Sequence, residues 1–97
     1  MALALTDEQL GLVRTILDSA VPGTERVAFG SRLGTVHHHY SDLDIGILAD
    51  TPIPLSTLSA LEEAFAESDL PFRVDVVDLH RVSETFRRLV FANHVRI

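Results

Sequence analysis

VAFGSRLGTVHHHYSDLDIGIL, from Val27 to Leu48, is the segment around which the rest of the chain is organised. It is built of a short apolar run, a Gly-Ser turn, a polar loop and an acidic strand. Leu43, Ile45 and Ile47 alternate with Asp42, Asp44 and Gly46, the period-two pattern of a strand with one buried face. Asp42 and Asp44 therefore point to the same side, their side chains rooted about 7 Å apart. Two like charges held so close in a partly dry site repel, and each carboxyl's pKa would rise unless a cation lay between them. Oxygen-only ligands select a hard ion, so Mg²⁺ or Mn²⁺ is expected rather than zinc. Upstream, Val27 to Phe29 ends at Gly30-Ser31, where the strand turns. Glycine lets a phosphate come close to the backbone, and Ser31 adds a hydroxyl and an N–H. A helical turn starting at Arg32 would add a further attraction for an anion.

Working outward, the chain falls into a small number of elements. Thr6-Asp-Glu-Gln9 is a capping box, and Leu10, Val13, Ile16, Leu17 and Ala20 follow at helical spacing, predicting a helix from about Asp7 to Ser19. Pro22-Gly23 ends it, and Arg26 to Phe29 is the first strand. Beyond the second strand, the Pro-containing break at 50–54 leads into a helix from about Leu55 to Glu67, with Leu55, Leu58, Leu61 and Phe65 on one stripe. Phe72, Val74 and Val76 then alternate with Arg73, Asp75 and Val77, which sets Asp75 on the face opposite the core. Ser83 to Asn93 is a last helix, and Val95 to Ile97 a short edge strand. The first two strands are expected to be antiparallel across the loop. A crossover helix between the second and third allows that pair to run parallel. The layout is α+β: one domain spanning residues 1–97, with a small mixed sheet, helices packed on one face and carboxylates on the other.

The combination of Gly30-Ser31, ten intervening residues, Asp42-Leu-Asp44 and a later acidic strand resembles the signature of the nucleotidyltransferase superfamily that includes DNA polymerase beta. The nearest likeness is to its minimal (MNT) branch, small bacterial proteins paired with a HEPN partner. The resemblance runs from about Val27 to Asp78. It implies a nucleotidyltransferase-like fold and a site in which Asp42 and Asp44 bind two metal ions, Asp75 helps to hold the catalytic ion and Ser31 contacts phosphate, with Gly30 and Arg32 completing the nucleotide-binding turn. It also implies ATP as the nucleotide, a HEPN-type partner and an antitoxin role. The chain departs from many relatives in the loop, where they read Gly-Ser-Arg-Ala-Arg-Gly: here Leu33 and Gly34 follow Arg32, and three histidines, His37 to His39, replace a charged stretch. Adjacent side chains diverge, so the histidines read as a solvated segment rather than a metal site.

Composition narrows the function classes. Apolar residues make up 46% of the chain and charged residues 23%, as in a globular protein. No run is long enough to cross a membrane and no signal peptide is present, so a cytoplasmic location is expected. The absence of Cys rules out disulfides and thiolate metal sites. The net charge of −6 argues against direct nucleic-acid binding, since the chain would repel a phosphate backbone. An incoming nucleotide must bring its metal.

Two functions of different kinds are open to such a chain. In one, it transfers a nucleoside monophosphate, AMP from ATP, to a hydroxyl on a partner protein. The chain is too short for an acceptor-binding domain, so the partner would have to hold that hydroxyl in a hetero-oligomer. In the other, it is a non-catalytic binding module that neutralises its partner by occupancy. Leu33, Ile53 and Phe91 are apolar residues expected to lie outside so small a core and to serve the partner. Asp78 shares parity with the buried residues of the third strand and is read as a cap for the segment after it. Arg73, on the face of Asp75, is read as tuning that acid or touching phosphate.

Overall fold

The computed structural model describes residues 3–30, 32–33 and 42–97. Ser31 and His37 to His39 lie outside the described residues, as does most of the loop between the first two strands. The elements are α1 (Asp7–Ala20), β1 (Glu25–Phe29), β2 (Leu43–Leu48), α2 (Leu55–Ala66), β3 (Val74–Asp78), α3 (Glu84–Ala92) and β4 (Val95–Arg96). The sheet order is β3-β2-β1-β4, with β1 antiparallel to both β2 and β4 and β2 parallel to β3.

α1 begins where its sequence says it should. Thr6 Oγ1 accepts from the Gln9 N–H at 3.1 Å, and Gln9 Oε1 accepts from the Thr6 N–H at 3.0 Å. Such a cap stabilises a helix by about 1 kcal/mol. Val13 and Leu17 on its inward stripe are buried, as are Leu61 and Phe65 of α2. Both helices pack against Ala28, Leu43, Ile45, Ile47 and Val74, one face of the sheet. Each fully buried aliphatic side chain contributes roughly 1.5–3 kcal/mol, so the three inward residues of β2 are the centre of the core. Ile53 belongs to this core at 3% exposure, so it is not a surface residue as the sequence led us to expect. The exposed large apolar side chains among the described residues are Leu55, Phe86 and Leu89.

The sheet is mixed and the layout α+β as expected, but only α1 and α2 share a face. α3 lies on the opposite one: its Val90 packs with Val27 and Leu79, flanked by Phe29, Leu48 and Val77. Gly46 makes room for this arrangement. A Cβ there would sit 3.0 to 3.1 Å from three carbons of Leu79, so the missing side chain is what lets Leu79 lie flat on the sheet. Ser83 caps α3, its Oγ accepting from the Phe86 N–H at 3.1 Å. Phe29 and Phe86 meet edge to face at 5.9 Å between centroids. The apolar half of this second face is thereby covered by α3, and among the described residues no helix packs over the half that carries the acids.

Candidate active site

The strand register assembles the acids. Asp44 of β2 is the register partner of Asp75 in β3 and of Phe29 in β1. Asp42 lies two residues before Asp44 on the same face. The sequence alternation thus holds in three dimensions: Asp42, Asp44 and Asp75 occupy the open end of one face, with β2 between the phosphate turn on one side and Asp75 on the other.

Gly30 closes β1 at φ +85°, a left-handed conformation that suits glycine, and its carbonyl accepts from the Leu33 N–H at 3.1 Å to form a turn. A Cβ on Gly30 would lie 2.2 Å from Asp44 Oδ2. The Asp44 carboxylate therefore rests directly against the backbone of the turn, the contact that joins the candidate phosphate loop to the candidate metal ligand. Within the described part of the loop, Leu33 makes an antiparallel bridge with Leu3.

The electrostatics reflect this crowding. Burial raises the Asp44 pKa above its ordinary value, the negative charges of Asp75 and Asp42 raise it further, and only Arg73 opposes them. Arg73 forks onto one oxygen of Asp75, with Nη2 at 2.8 Å and Nε at 3.0 Å from Oδ1. The adjoining acids raise the Arg73 pKa, and its hydrogen bond to Asp75 contributes most. The sequence had placed Arg73 on this face; the fork itself needed the fold.

Arg32 is 4% exposed. Its Nη1 donates to the Ala4 carbonyl at 2.8 Å, its own carbonyl accepts from the Ala4 N–H at 3.0 Å, and the guanidinium lies 3.9 Å from the centroid of the Phe72 ring. These contacts pin the start of the loop to the N-terminal segment, a strut that the nucleotide-binding reading of Arg32 did not foresee. Asp78 orients the segment after it, as the sequence suggested, and makes one contact the sequence did not show: Oδ1 accepts from the His80 N–H at 2.9 Å and Oδ2 meets Arg81 Nε at 3.2 Å, while Oδ2 also accepts from the Ile53 N–H at 2.8 Å. A partner as distant in sequence as Ile53 leaves no local signal.

An all-oxygen donor set with three acids and one nearby guanidinium fits a hard divalent cation. Among the described residues no three acidic or histidine side chains already converge as a cation cage. A cleft of about 530 Å³ adjoins the site at the outer edge of β3, lined by Phe65, Leu70, Phe72, Arg73 and Asp75 among others.

The family model described as Polymerase beta, Nucleotidyltransferase matches residues 25–97. The chain belongs to the polymerase beta nucleotidyltransferase family. The matched span includes every acid of the site. Within this family of nucleotidyltransferases, the chain is 43% identical over 88 residues to the probable protein adenylyltransferase MntA of Haemophilus influenzae, covering 91% of this chain and 77% of that protein. Two solved structures of relatives share the fold. A toxin–antitoxin structure with AMP-PNP aligns at a TM-score of 0.76 and 26% identity, over 89% of this chain and 69% of that one. A tri-AMPylated Shewanella oneidensis HEPN toxin in complex with MNT antitoxin aligns at 0.68 and 26%, over 92% and 70%.

Proposed function

We propose that this nucleotidyltransferase is a Mg²⁺-dependent protein adenylyltransferase that moves AMP from ATP to a hydroxyl of a HEPN-type partner, acting in the cytoplasm as the antitoxin of that pair. One observation carries the reading: the Asp44 carboxylate lies against the Gly30 turn and is in register with Asp75. A triphosphate on the turn is then within reach of the acids, and the kinship with MntA and with the AMPylated pair names the group transferred.

Asp42, Asp44 and Asp75 would hold the divalent ions. When bound, these supply neutralisation of the triphosphate and activation of the acceptor hydroxyl. Gly30 and Ser31 offer backbone and hydroxyl donors to the phosphates. In the transfer, the acceptor oxygen bonds to the α-phosphorus as the bond to the bridging oxygen breaks, and pyrophosphate leaves in line. The hydroxyl proton leaves to water, which reaches the site at the partly exposed Asp75 edge. Asp44, crowded by burial and by its neighbours, is favoured in its ionised form by cations, which couples the charge of the site to its loading.

The test is incubation of the chain with its operon-encoded partner, labelled ATP and Mg²⁺. A partner that gains the mass of an AMP group supports the reading. A tight complex with no label on the partner would replace it with neutralisation by occupancy.

A further inference from the structure

Arg73 stands just before β3, and its carbonyl accepts from the Leu43 N–H at 2.9 Å. That bond fixes its backbone beside the entry to β2, and the two-residue period places its side chain on the face of Asp75. Both of its contacts go to the same oxygen, Asp75 Oδ1. The pair is exposed, with 73% of the Arg73 side chain and 35% of the Asp75 side chain open to solvent, so it contributes little to the stability of the fold. An ion pair that contributes little to folding and is made to a candidate metal ligand can be given up when that ligand is needed.

We infer that Arg73 is a resident counter-ion that occupies Asp75 until a divalent cation displaces it, and so sets the metal concentration at which the site loads. The inference rests on the metal-site reading of Asp75 given above. Coulomb's law makes the exchange favourable. The guanidinium neutralises one of three acids, whereas a divalent ion places two charges among all of them, and an exposed side chain can swing away into water at little cost. In the unloaded protein the same fork spares β2 and β3 from a fully unbalanced row of carboxylates. Arg73 is thus a positioning residue, acting through Asp75.

The experiment is a Mn²⁺ titration of the nucleotide-free protein, monitored by water proton relaxation, on the wild type, Arg73→Gln, Asp75→Asn and the double variant. Arg73→Gln is expected to tighten Mn²⁺ binding by about threefold to fivefold, the order expected when one exposed ion pair no longer has to be broken before the ion binds. In the Asp75→Asn background the same substitution is expected to change binding by less than about twofold, because the competition has lost its object. Two results would overturn the inference. One is unchanged Mn²⁺ affinity in Arg73→Gln. The other is an equal tightening in both backgrounds, which would reduce Arg73 to a charge felt through space. If instead Asp75→Asn alone binds Mn²⁺ as well as the wild type, the metal reading of Asp75 falls first. Melting of all four proteins by circular dichroism, expected to be unchanged for Arg73→Gln, separates these outcomes from misfolding.

Discussion

β3 carries two aspartates three residues apart, and they live in different media. Asp75 is on the open face, partly exposed, and bonded to a solvent-facing guanidinium. Asp78 has no side-chain exposure at all and is enclosed by the Ile53 and His80 N–H groups and the Arg81 guanidinium. One strand thus presents the same side chain as an accessible carboxylate at one end and as architecture at the other. An odd spacing in a strand puts two residues on opposite faces, and the faces differ in what covers them: α1 and α2 on one, and on the other α3, whose Val90 packs with Val27 and Leu79. A carboxylate held only by an exposed partner is available to a ligand. One that is itself buried and already satisfies three donors is not.

The largest effect is expected at Asp44, the register partner of Asp75. Asp44→Asn should abolish AMP transfer with the fold intact, read by labelled ATP and by circular dichroism; full turnover in Mg²⁺ would remove the acids from catalysis. Next, Asp75→Asn should lower turnover by about a hundredfold, with a melting temperature nearly unchanged. Asp78→Asn should reverse that pattern. An amide cannot accept from the donors on both carboxylate oxygens, so buried N–H groups are left unpaired at a cost of about 2–4 kcal/mol in denaturant unfolding, with turnover per folded molecule close to wild type. That is larger than the effect of a simple helix cap, which is what the sequence led us to expect. If Asp78→Asn were the inactive enzyme and Asp75→Asn the unstable one, the contrast between the two ends of β3 would collapse.

Gly30→Ala sharpens the same contrast from the other side of β2. The left-handed backbone costs a non-glycine residue about 1–2 kcal/mol. The added Cβ must also displace the Asp44 carboxylate, so turnover should fall more than stability does. The smallest effect is one of pH. The Asp44 pKa is raised on folding, so the folded chain holds that proton more tightly than the unfolded one, and ionisation of Asp44 costs stability. The cost is absent below the ordinary value of 3.8, grows as the pH rises from there and is complete above the folded pKa. Asp44→Asn should therefore melt slightly higher than wild type at neutral pH in the absence of divalent ions, and level with it in strong acid. A gain of equal size at both pH values would trace it to something other than charge.

Much of this was written in the sequence because it depends on local geometry. Alternation fixed which residues of β2 and β3 face the core, since a period of two is a property of the extended backbone itself. The Thr6 to Gln9 box fixed where α1 starts, and Gly30 marked the turn because its position needs a positive φ. With Asp42, Asp44 and Asp75 assigned by parity to one face, the acidic half of the candidate site was legible in the sequence. What the tertiary structure alone decided was which side chains meet across long stretches of chain. It sent Arg32 to Ala4 and Phe72, gave Asp78 the backbone of Ile53 from 25 residues upstream and laid Leu79 over Gly46. The physical reason is that hydrophobic burial is non-directional. An apolar stripe specifies that α3 must be covered, and only the packed sheet, with a glycine where Leu79 can settle, specifies by what.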